Sequence, residues 1–254
     1  IILRKGKTSG GLCSALLAID HINDNEDLVV SNMDDLIDYD LNEILFEFKK
    51  NKADAGLISF ESSHPRWSYI KTSPENKVLM NVEKRVISKL AVAGFYYFRN
   101  KSLLVQNSMQ VMLDDDTVKG SFYLSSTINQ MILKGHQIIH KTIPNKNYHS
   151  LYSPESIKEY EESLNNFLRN QKSHLNKINI VIPAAGKGSR FADLGWKSPK
   201  PFIEINDRPM LSHVIENIYF KNSELILILQ NDHIKNKKNI DYLSNINYKL
   251  LTLT

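Results

Sequence analysis

The residues best suited to chemistry lie between positions 179 and 204, in the last third of the 254-residue chain. The apolar run at 179–184 (NIVIPA) predicts a buried strand. Two glycines and three cations follow it: Gly186, Gly188, Lys187, Arg190 and Lys200. Glycines one residue apart let a turn bring its backbone N–H groups close to an anion. The stretch therefore predicts a site for nucleotide phosphates.

This glycine turn differs from two common phosphate-binding motifs. No Lys-Ser or Lys-Thr pair closes it, as the Gly-Lys-Thr/Ser loop requires. Phe191 and Ala192 follow Arg190, where G-x-G-x-x-G needs a third glycine. Taken alone, the turn could equally be a surface turn with incidental lysines.

A second motif, PKPF at 199–202, makes the pattern more specific. The strand, the segment AGKGSR at 185–190 and this motif together resemble the signature of the sugar-phosphate nucleotidyltransferases, also called nucleotidylyltransferases or pyrophosphorylases. The resemblance implies an α/β fold: a Rossmann-like three-layer sandwich with a mostly parallel, mixed sheet, of the nucleotide-diphospho-sugar transferase type. It also implies transfer of NMP from an NTP to a phosphorylated acceptor, with release of pyrophosphate.

The rest of the chain resembles bacterial capsule-biosynthesis members of that family, but in circularly permuted order. The matching segments are KTSGGLCS at 7–14, NMD at 32–34, SHPRWS at 63–68, EK at 83–84, GFYY at 94–97 and SFY at 121–123. Residues 177–254 look like the first, NTP-binding part of the domain. Residues 1–170 look like the remainder, with the acceptor-binding and metal sites, and residues 171–176 would be a linker.

Three arrangements fit this order of segments. The domain is circularly permuted, or the sequence is a slice through two tandem copies, or two chains exchange halves as a swapped homodimer. Neither half repeats the other, which favours one domain's worth of parts.

For the nucleotide, the resemblance implies contacts from the turn at Ala185, Gly186, Gly188 and Ser189. Arg190 would contact the leaving pyrophosphate, and Lys200 the α-phosphate or the leaving group. Gln230, at a strand end, would read the nucleobase, and Gly10 would let the base approach the backbone. A polar strand end is the alternative interpretation of Gln230.

The resemblance also implies a metal ligand, Asp34, which follows a predicted buried strand. Mg²⁺ takes few carboxylates when phosphate oxygens complete its shell, so one Asp can form a partial site. An ordinary acidic loop is the alternative, because other Asp residues stand nearby. Ser121 occupies the position where the family's second metal carboxylate is expected, and the acidic run at 114–116 is only a nearby candidate.

On the acceptor side, the resemblance implies contacts from Glu83, Lys84 and Gly94. Glu83 would bind a hydroxyl group, and Lys84 the phosphate of a sugar phosphate or phosphoalcohol. Arg85 replaces the proline that the family usually has next. A Glu-Lys pair by itself is usually only a solvated ion pair.

The hydrophobic pattern predicts the elements that must position these residues. Strands are predicted at 1–3, 28–31, 55–60, 67–70, 77–83, 90–98, 137–143, 179–184, 224–230 and 248–253. Helices are predicted at 12–22, 41–50, 103–113, 122–134, 153–171, 209–220 and 234–246. Ligands gather at the carboxyl ends of strands in such sheets. We therefore expect the glycine turn and Lys200 to face Asp34 and Lys84 across one cleft.

Composition narrows the function classes. The net charge of +4 is mild and spread along the chain, so no nucleic-acid partner is predicted. One cysteine, Cys13, excludes an internal disulfide, and no apolar run is long enough to span a membrane. These features predict a cytoplasmic protein.

Two other functions compete with the enzyme. The first is a non-catalytic module that binds a nucleotide or sugar phosphate within a larger polysaccharide assembly protein, favoured by Arg85 and Ser121. The second is a glycosyltransferase, which needs an Asp-x-Asp metal motif after a strand. Asp38-Tyr39-Asp40 has that form but follows its strand too late.

Overall fold

The computed structural model describes residues 2–4, 6–163, 178–186, 188–218 and 223–244. Its strands are β1 (Ile2–Arg4), β2 (Asp27–Ser31), β3 (Asp35–Ile37), β4 (Ala55–Glu61), β5 (Ser68–Thr72), β6 (Val78–Glu83), β7 (Leu90–Phe98), β8 (Ile138–Thr142), β9 (Tyr148–Ser150), β10 (Ile178–Pro183), β11 (Glu204–Ile205), β12 (Arg208–Pro209) and β13 (Ser223–Gln230). Its helices are α1 (Gly11–Leu16), α2 (Leu41–Lys50), α3 (Lys101–Leu113), α4 (Leu124–Leu133), α5 (Pro154–Ser163), α6 (Ser189–Asp193), α7 (Met210–Ile218) and α8 (Lys237–Ser244).

Nine of the described strands form one mixed sheet. Its main order is β1-β13-β10-β2-β7-β4-β8, with β5 paired to β7 and β6 paired to β5. The first four strands are parallel to one another, as are β4 and β8. β7 runs antiparallel to β2, β4 and β5. The predicted mostly parallel, mixed sheet is confirmed.

Both faces of this sheet are covered by helices. In β10, Ile180 and Ile182 pack into one apolar core, while Val181 between them packs into the other. Because side chains alternate across a strand, an unbroken apolar run such as the one at 180–182 must be buried on both faces. Helices α2 and α7 contribute to the first core, and α1, α3 and α4 to the second. The predicted three-layer sandwich is confirmed.

A single chain supplies strands from both parts of the sequence to this sheet. β10 lies between β2 and β13 and is parallel to both. Away from the sheet, the Asn217 side chain accepts a hydrogen bond from Ile37 N (2.9 Å) and donates one to Ile37 O (3.1 Å). Circular permutation and exchange between chains stay predictions, and the predicted linker at 171–176 lies outside the described residues.

Some elements differ from the sequence-based expectation. The predicted helix at 12–22 is α1 followed by a separate 3₁₀ turn at Ile19–His21. The ladder of β3 with β9 and the β11–β12 pair were not predicted, because strands of two or three residues are too short to show periodicity. The predicted strand at 248–253 lies outside the described residues. Among the residues that are described, no helix is both long enough and apolar enough to cross a membrane.

Replacing Asn217 by Ala should destabilise the fold by about 1–3 kcal/mol, because it removes two buried hydrogen bonds to the backbone of Ile37. Asn51→Ala is the matched control, since the Asn51 side chain donates only to Glu47 O on its own helix and is exposed. Urea unfolding of both variants measures the difference. Equal losses for the two variants would show that the Asn217 contact does not tie the two parts together.

Candidate functional site

The glycine turn begins where β10 ends, at the carboxyl edge of the sheet. Gly188 precedes α6 in a left-handed conformation (φ 61°, ψ 35°). A Cβ atom at Gly188 would lie 2.9 Å from Cβ of Lys200. Glycine is therefore required here both by the backbone angles and by the close approach of Lys200. Lys187, which the sequence also placed in this turn as a cation, lies outside the described residues.

Lys200 stands at the start of a 3₁₀ turn and points at the loop after β2. Its Nζ donates a hydrogen bond to Asp34 Oδ2 at 2.6 Å. The exposed fraction is only 10% for the Lys200 side chain and 27% for that of Asp34. Burial by itself raises the pKa of Asp34, but the charge and hydrogen bond of Lys200, a backbone N–H and the charge of Arg190 together hold this pKa below its usual range. Asp34 is thus kept ionised beside the glycine turn.

A cavity of about 260 Å³ joins these groups. Its polar and charged lining consists of Asn32, Asp34, Gly186, Gly188, Ser189, Arg190 and Lys200. Residues from both parts of the sequence, 1–170 and 177–254, therefore surround one cavity at the carboxyl ends of β2 and β10. A space lined by backbone groups, two cations and one carboxylate suits a polyphosphate together with a metal ion.

A second cavity, of about 380 Å³, adjoins the first and shares Gly186 and Ser189 with it. Gln230 and Gly10 both line it. Gln230 Nε2 donates to Ala185 O at 2.6 Å, which leaves the amide oxygen as the atom that can accept a hydrogen bond from a ligand.

Gly10 has a reason to be glycine that is independent of any ligand. Its φ is 115°, and a Cβ atom would lie 2.3 Å from the backbone oxygen of Phe122. Contact between Gly10 and a base stays a prediction.

Asp35 lies behind Asp34 and was not predicted as a site residue. It is buried, and it accepts hydrogen bonds from Asn32 Nδ2 (2.8 Å) and the Tyr148 hydroxyl (2.5 Å). Burial, and then the charge of Asp34, raise its pKa to about 7, although these two hydrogen bonds act in the opposite direction. At neutral pH, Asp35 is therefore divided between its protonated and ionised forms.

Gly94 belongs to the same inner cluster. It has φ 65°, and a Cβ atom there would lie 2.1 Å from Asp35 Oδ2 and 2.3 Å from Asn32 Nδ2. The structure thus explains this glycine by the packing of Asp35 and Asn32. Its predicted contact with the acceptor stays a prediction.

Two of the predicted acceptor residues, Glu83 and Lys84, contact side chains at the start of α4. Lys84 Nζ hydrogen-bonds the Tyr123 hydroxyl and lies 4.4 Å from the centre of that ring. Glu83 accepts a hydrogen bond from Ser125 Oγ at 2.9 Å, and burial raises its pKa despite opposition from Ser125 and Lys84. The structure does not bring Lys84 into the cavity that Asp34 lines.

Two contacts between arginines and the Tyr152 ring were not predicted from the sequence, and one of them involves Arg190, which lines the first cavity. The guanidinium carbon of Arg190 lies 3.7 Å from the centre of the Tyr152 ring, and that of Arg66 lies 5.0 Å from it. Arg66 also lies 4.0 Å from the Trp67 ring centre and lines a third cavity, of about 430 Å³. No local pattern marks Tyr152, because it sits in an irregular segment between β9 and α5.

The carboxylates present fit a partial Mg²⁺ site. Within the described ranges, no three His, Cys, Asp or Glu side chains converge as ligands. Asp34 is ionised, partly exposed and next to the glycine turn, which suits an ion that binds phosphate oxygens as well. Ser121 carries no carboxylate. Asp114 is engaged by Gln110 and Gln130 and does not line this cavity.

Comparisons with known proteins agree with this architecture. Residues 2–141 match the family model described as Nucleotidyl transferase. The chain is 35% identical over 68 residues to the bifunctional protein GlmU of Methanocaldococcus jannaschii, covering 27% of this chain and 16% of that protein. It is 39% identical over 57 residues to 2-aminoethylphosphonate cytidylyltransferase of Lancefieldella rimae, covering 22% of this chain and 23% of that protein. The matches thus span less than a quarter of either relative.

Two crystal structures share the fold at low sequence identity. A nucleoside-diphosphate-sugar pyrophosphorylase from Vibrio cholerae superposes with a TM-score of 0.51 at 20% identity, covering 62% of this chain and 66% of that one. A Bacillus anthracis protein assigned as a glucose-1-phosphate thymidylyltransferase gives a TM-score of 0.52 at 18% identity, covering 66% of each chain. These likenesses establish the nucleotidyltransferase type of fold.

Replacing Gly188 by Ala should destabilise the protein more than replacing Gly195 by Ala. Both glycines have positive φ, so both variants incur backbone strain of about 1–2 kcal/mol. Only at Gly188 does the new Cβ meet another residue, Lys200, while at Gly195 nothing lies within 4 Å. Overpacking should add about 1 kcal/mol or more at Gly188. Unfolding free energies measure the difference, and equal losses would contradict the close packing of the turn on Lys200.

Asp35 should make stability depend on pH between about 4 and 7. Its folded pKa of about 7 lies above the usual value of 3.8, so its contribution is fully present below pH 3.8 and is lost as the pH rises through 7. The pKa of Asp34 is lowered, so its contribution is lost only as the pH falls below 3.8. The unfolding free energy of Asp35→Asn, relative to wild type, should therefore improve from pH 4 to pH 8. A difference that does not change with pH would contradict the raised pKa.

Proposed function

Because the chain belongs to the nucleotidyl transferase family, we propose that it transfers NMP from an NTP to a sugar phosphate or a small phosphorylated alcohol, releasing pyrophosphate. The hydrogen-bonded ion pair of Lys200 with Asp34 at 2.6 Å carries this proposal. Through it, the glycine turn and a partly exposed carboxylate share one cavity, as nucleotidyl transfer requires. The base would occupy the adjoining cavity, against Gly10 and the amide oxygen of Gln230.

The turn would bind the triphosphate through the backbone at Ala185, Gly186, Gly188 and Ser189, with the N–H groups as donors. Arg190 would contact the β- and γ-phosphates that leave as pyrophosphate. Lys200 would exchange Asp34 for an α-phosphate oxygen. Asp34, released from Lys200, would hold Mg²⁺, which when bound screens the charge of the phosphate oxygens.

The acceptor phosphate is already a nucleophile, so the protein has to align and stabilise rather than activate. An acceptor phosphate oxygen forms a bond to the α-phosphorus, and the bond from that phosphorus to the bridging oxygen of the β-phosphate breaks. The electron pair of the broken bond goes to pyrophosphate. Arg190 and Lys200, which line one cavity, would stabilise that negative charge. Preorganised cations of this kind commonly supply the largest share of catalysis.

We place the acceptor on the side of Glu83, Lys84 and Gly94. Glu83 would bind a hydroxyl group, and Lys84 the acceptor phosphate after leaving Tyr123. The name of the Lancefieldella rimae relative, a 2-aminoethylphosphonate cytidylyltransferase, supports a small phosphonate or phosphate among the candidates. The sugar-nucleotide enzymes of the same fold support a sugar phosphate. We further propose a role in bacterial capsule or surface-polysaccharide biosynthesis, in the cytoplasm.

A non-catalytic module that binds the same ligands is the second candidate. Arg85 in place of the family's proline, and Ser121 in place of a second metal carboxylate, favour it. Turnover separates the two functions, because the module would bind NTP without releasing pyrophosphate.

Pyrophosphate release, measured with Mg²⁺, each common NTP and a panel of acceptors, tests the enzyme. The panel should include glucose 1-phosphate, phosphocholine and 2-aminoethylphosphonate. Arg190→Ala and Asp34→Asn should each lower kcat/KM by about 100-fold or more, because each removes charge stabilisation. Arg99→Ala is the matched control, since Arg99 pairs with Asp54 and lines neither the cavity at Asp34 nor the adjoining cavity at Gln230.

Thermal unfolding must accompany these assays, because breaking a buried ion pair costs about 3–5 kcal/mol when one charge is left unpaired. NTP binding without turnover for any acceptor would support the binding module instead. Failure to bind any NTP would contradict both candidates.

A further inference from the structure

One aromatic ring contacts Arg190, which lines the first cavity and which the proposed reaction needs. The guanidinium carbon of Arg190 lies over the Tyr152 ring, 3.7 Å from its centre, well within the range of a cation–π contact. Arg190 is otherwise exposed, whereas Tyr152 is half-buried. The ring therefore provides a fixed surface against which a long and otherwise mobile side chain rests.

The backbone that carries Tyr152 is tied to the loop that carries Asp34. Leu151 N donates to Asp34 O at 2.7 Å, and β9 pairs with β3 so that Ser150 lies opposite Asp35. On the other side of Tyr152, Ser153 and Ser156 exchange hydrogen bonds at the start of α5. The ring is thus held between two anchored segments, and its position is fixed relative to Asp34.

Stacking on a ring leaves the edge of a guanidinium free. Its N–H donors lie in the guanidinium plane, so they can still reach phosphate oxygens while the face rests on the tyrosine. An arginine that is held in this way loses less conformational freedom when an anion binds. The contact therefore prepares Arg190 for a phosphate group without competing for its donors.

We propose that Tyr152 is a positioning residue that holds Arg190 at the cleft for the pyrophosphate portion of the nucleotide. The proposal rests on the function proposed above and adds to it a residue outside the glycine turn. Tyr152 acts through its ring rather than its hydroxyl group, because it is the ring that lies against the guanidinium groups of Arg190 and Arg66.

Arg66 offers the competing explanation. It lies 5.0 Å from the same ring centre, and it also rests on Trp67 at 4.0 Å. If Tyr152 mattered through Arg66 or through the fold in general, its removal would still weaken anion binding after Arg190 had been removed.

A double-mutant cycle on pyrophosphate binding distinguishes these explanations. Isothermal titration calorimetry with inorganic pyrophosphate and Mg²⁺ would compare wild type, Tyr152→Leu, Arg190→Ala and the double variant. We expect Tyr152→Leu to raise the Kd about three- to tenfold, as the loss of a cation–π contact should. In the Arg190→Ala background the same change should leave the Kd unaltered, within about twofold.

Two further variants serve as controls. Tyr152→Phe keeps the ring and should bind pyrophosphate like wild type. Tyr160→Leu removes another ring, on α5, that contacts His149 and His213, and it should also leave the Kd unchanged. Rescue by Phe together with a normal Tyr160→Leu would exclude general disruption as the cause.

Each contrary result has a distinct meaning. Wild-type affinity in Tyr152→Leu, or an equal loss with and without Arg190, overturns the role of Tyr152 and leaves the proposed function standing. Absence of pyrophosphate binding in the wild-type protein overturns the proposed function and the role of Tyr152 together.

Discussion

The ion pair of Lys200 with Asp34 is the interaction on which the site depends. Its two residues are 166 positions apart in sequence, yet their charged atoms lie 2.6 Å from each other in a largely buried environment. A buried charge is tolerated only when it is paired and hydrogen-bonded, so each residue makes the other's position possible. Gly188 packs directly on Lys200, and the Phe191 ring lies 5.3 Å from its Nζ. The turn therefore closes over the lysine that holds the carboxylate.

The same ion pair suits the proposed binding of a triphosphate and Mg²⁺. The positive Lys200 and the negative Asp34 balance each other's charge. In the proposed reaction, a triphosphate would give Lys200 another negative partner, and Mg²⁺ would give Asp34 another positive one. Each ligand would thereby free the residue that the other ligand needs. Asp35, with its pKa raised to about 7, adds no full second charge to this cluster at neutral pH.

Much of the fold could be predicted from the sequence, because most strands and helices are long enough to show the periodicity of their apolar residues. The run at 179–184 and the helix α2 appeared almost at the bounds that the structure has. The proximity of the glycine turn to Asp34 could also be predicted, since both follow buried strands whose carboxyl ends meet at one edge of the sheet. Two contacts could not be predicted from the sequence: that of Tyr152 with Arg190 and that of Lys84 with Tyr123. They depend on where irregular segments come together, which spacing along the chain does not encode.

A crystal structure with a non-hydrolysable NTP analogue and Mg²⁺ tests the central claim most directly. The account predicts that the triphosphate lies along the turn at 185–190, that Lys200 leaves Asp34 for a phosphate oxygen, and that Mg²⁺ binds the freed carboxylate. A nucleotide bound elsewhere, or a triphosphate bound at the turn with the Lys200–Asp34 pair intact and no metal at Asp34, would contradict it.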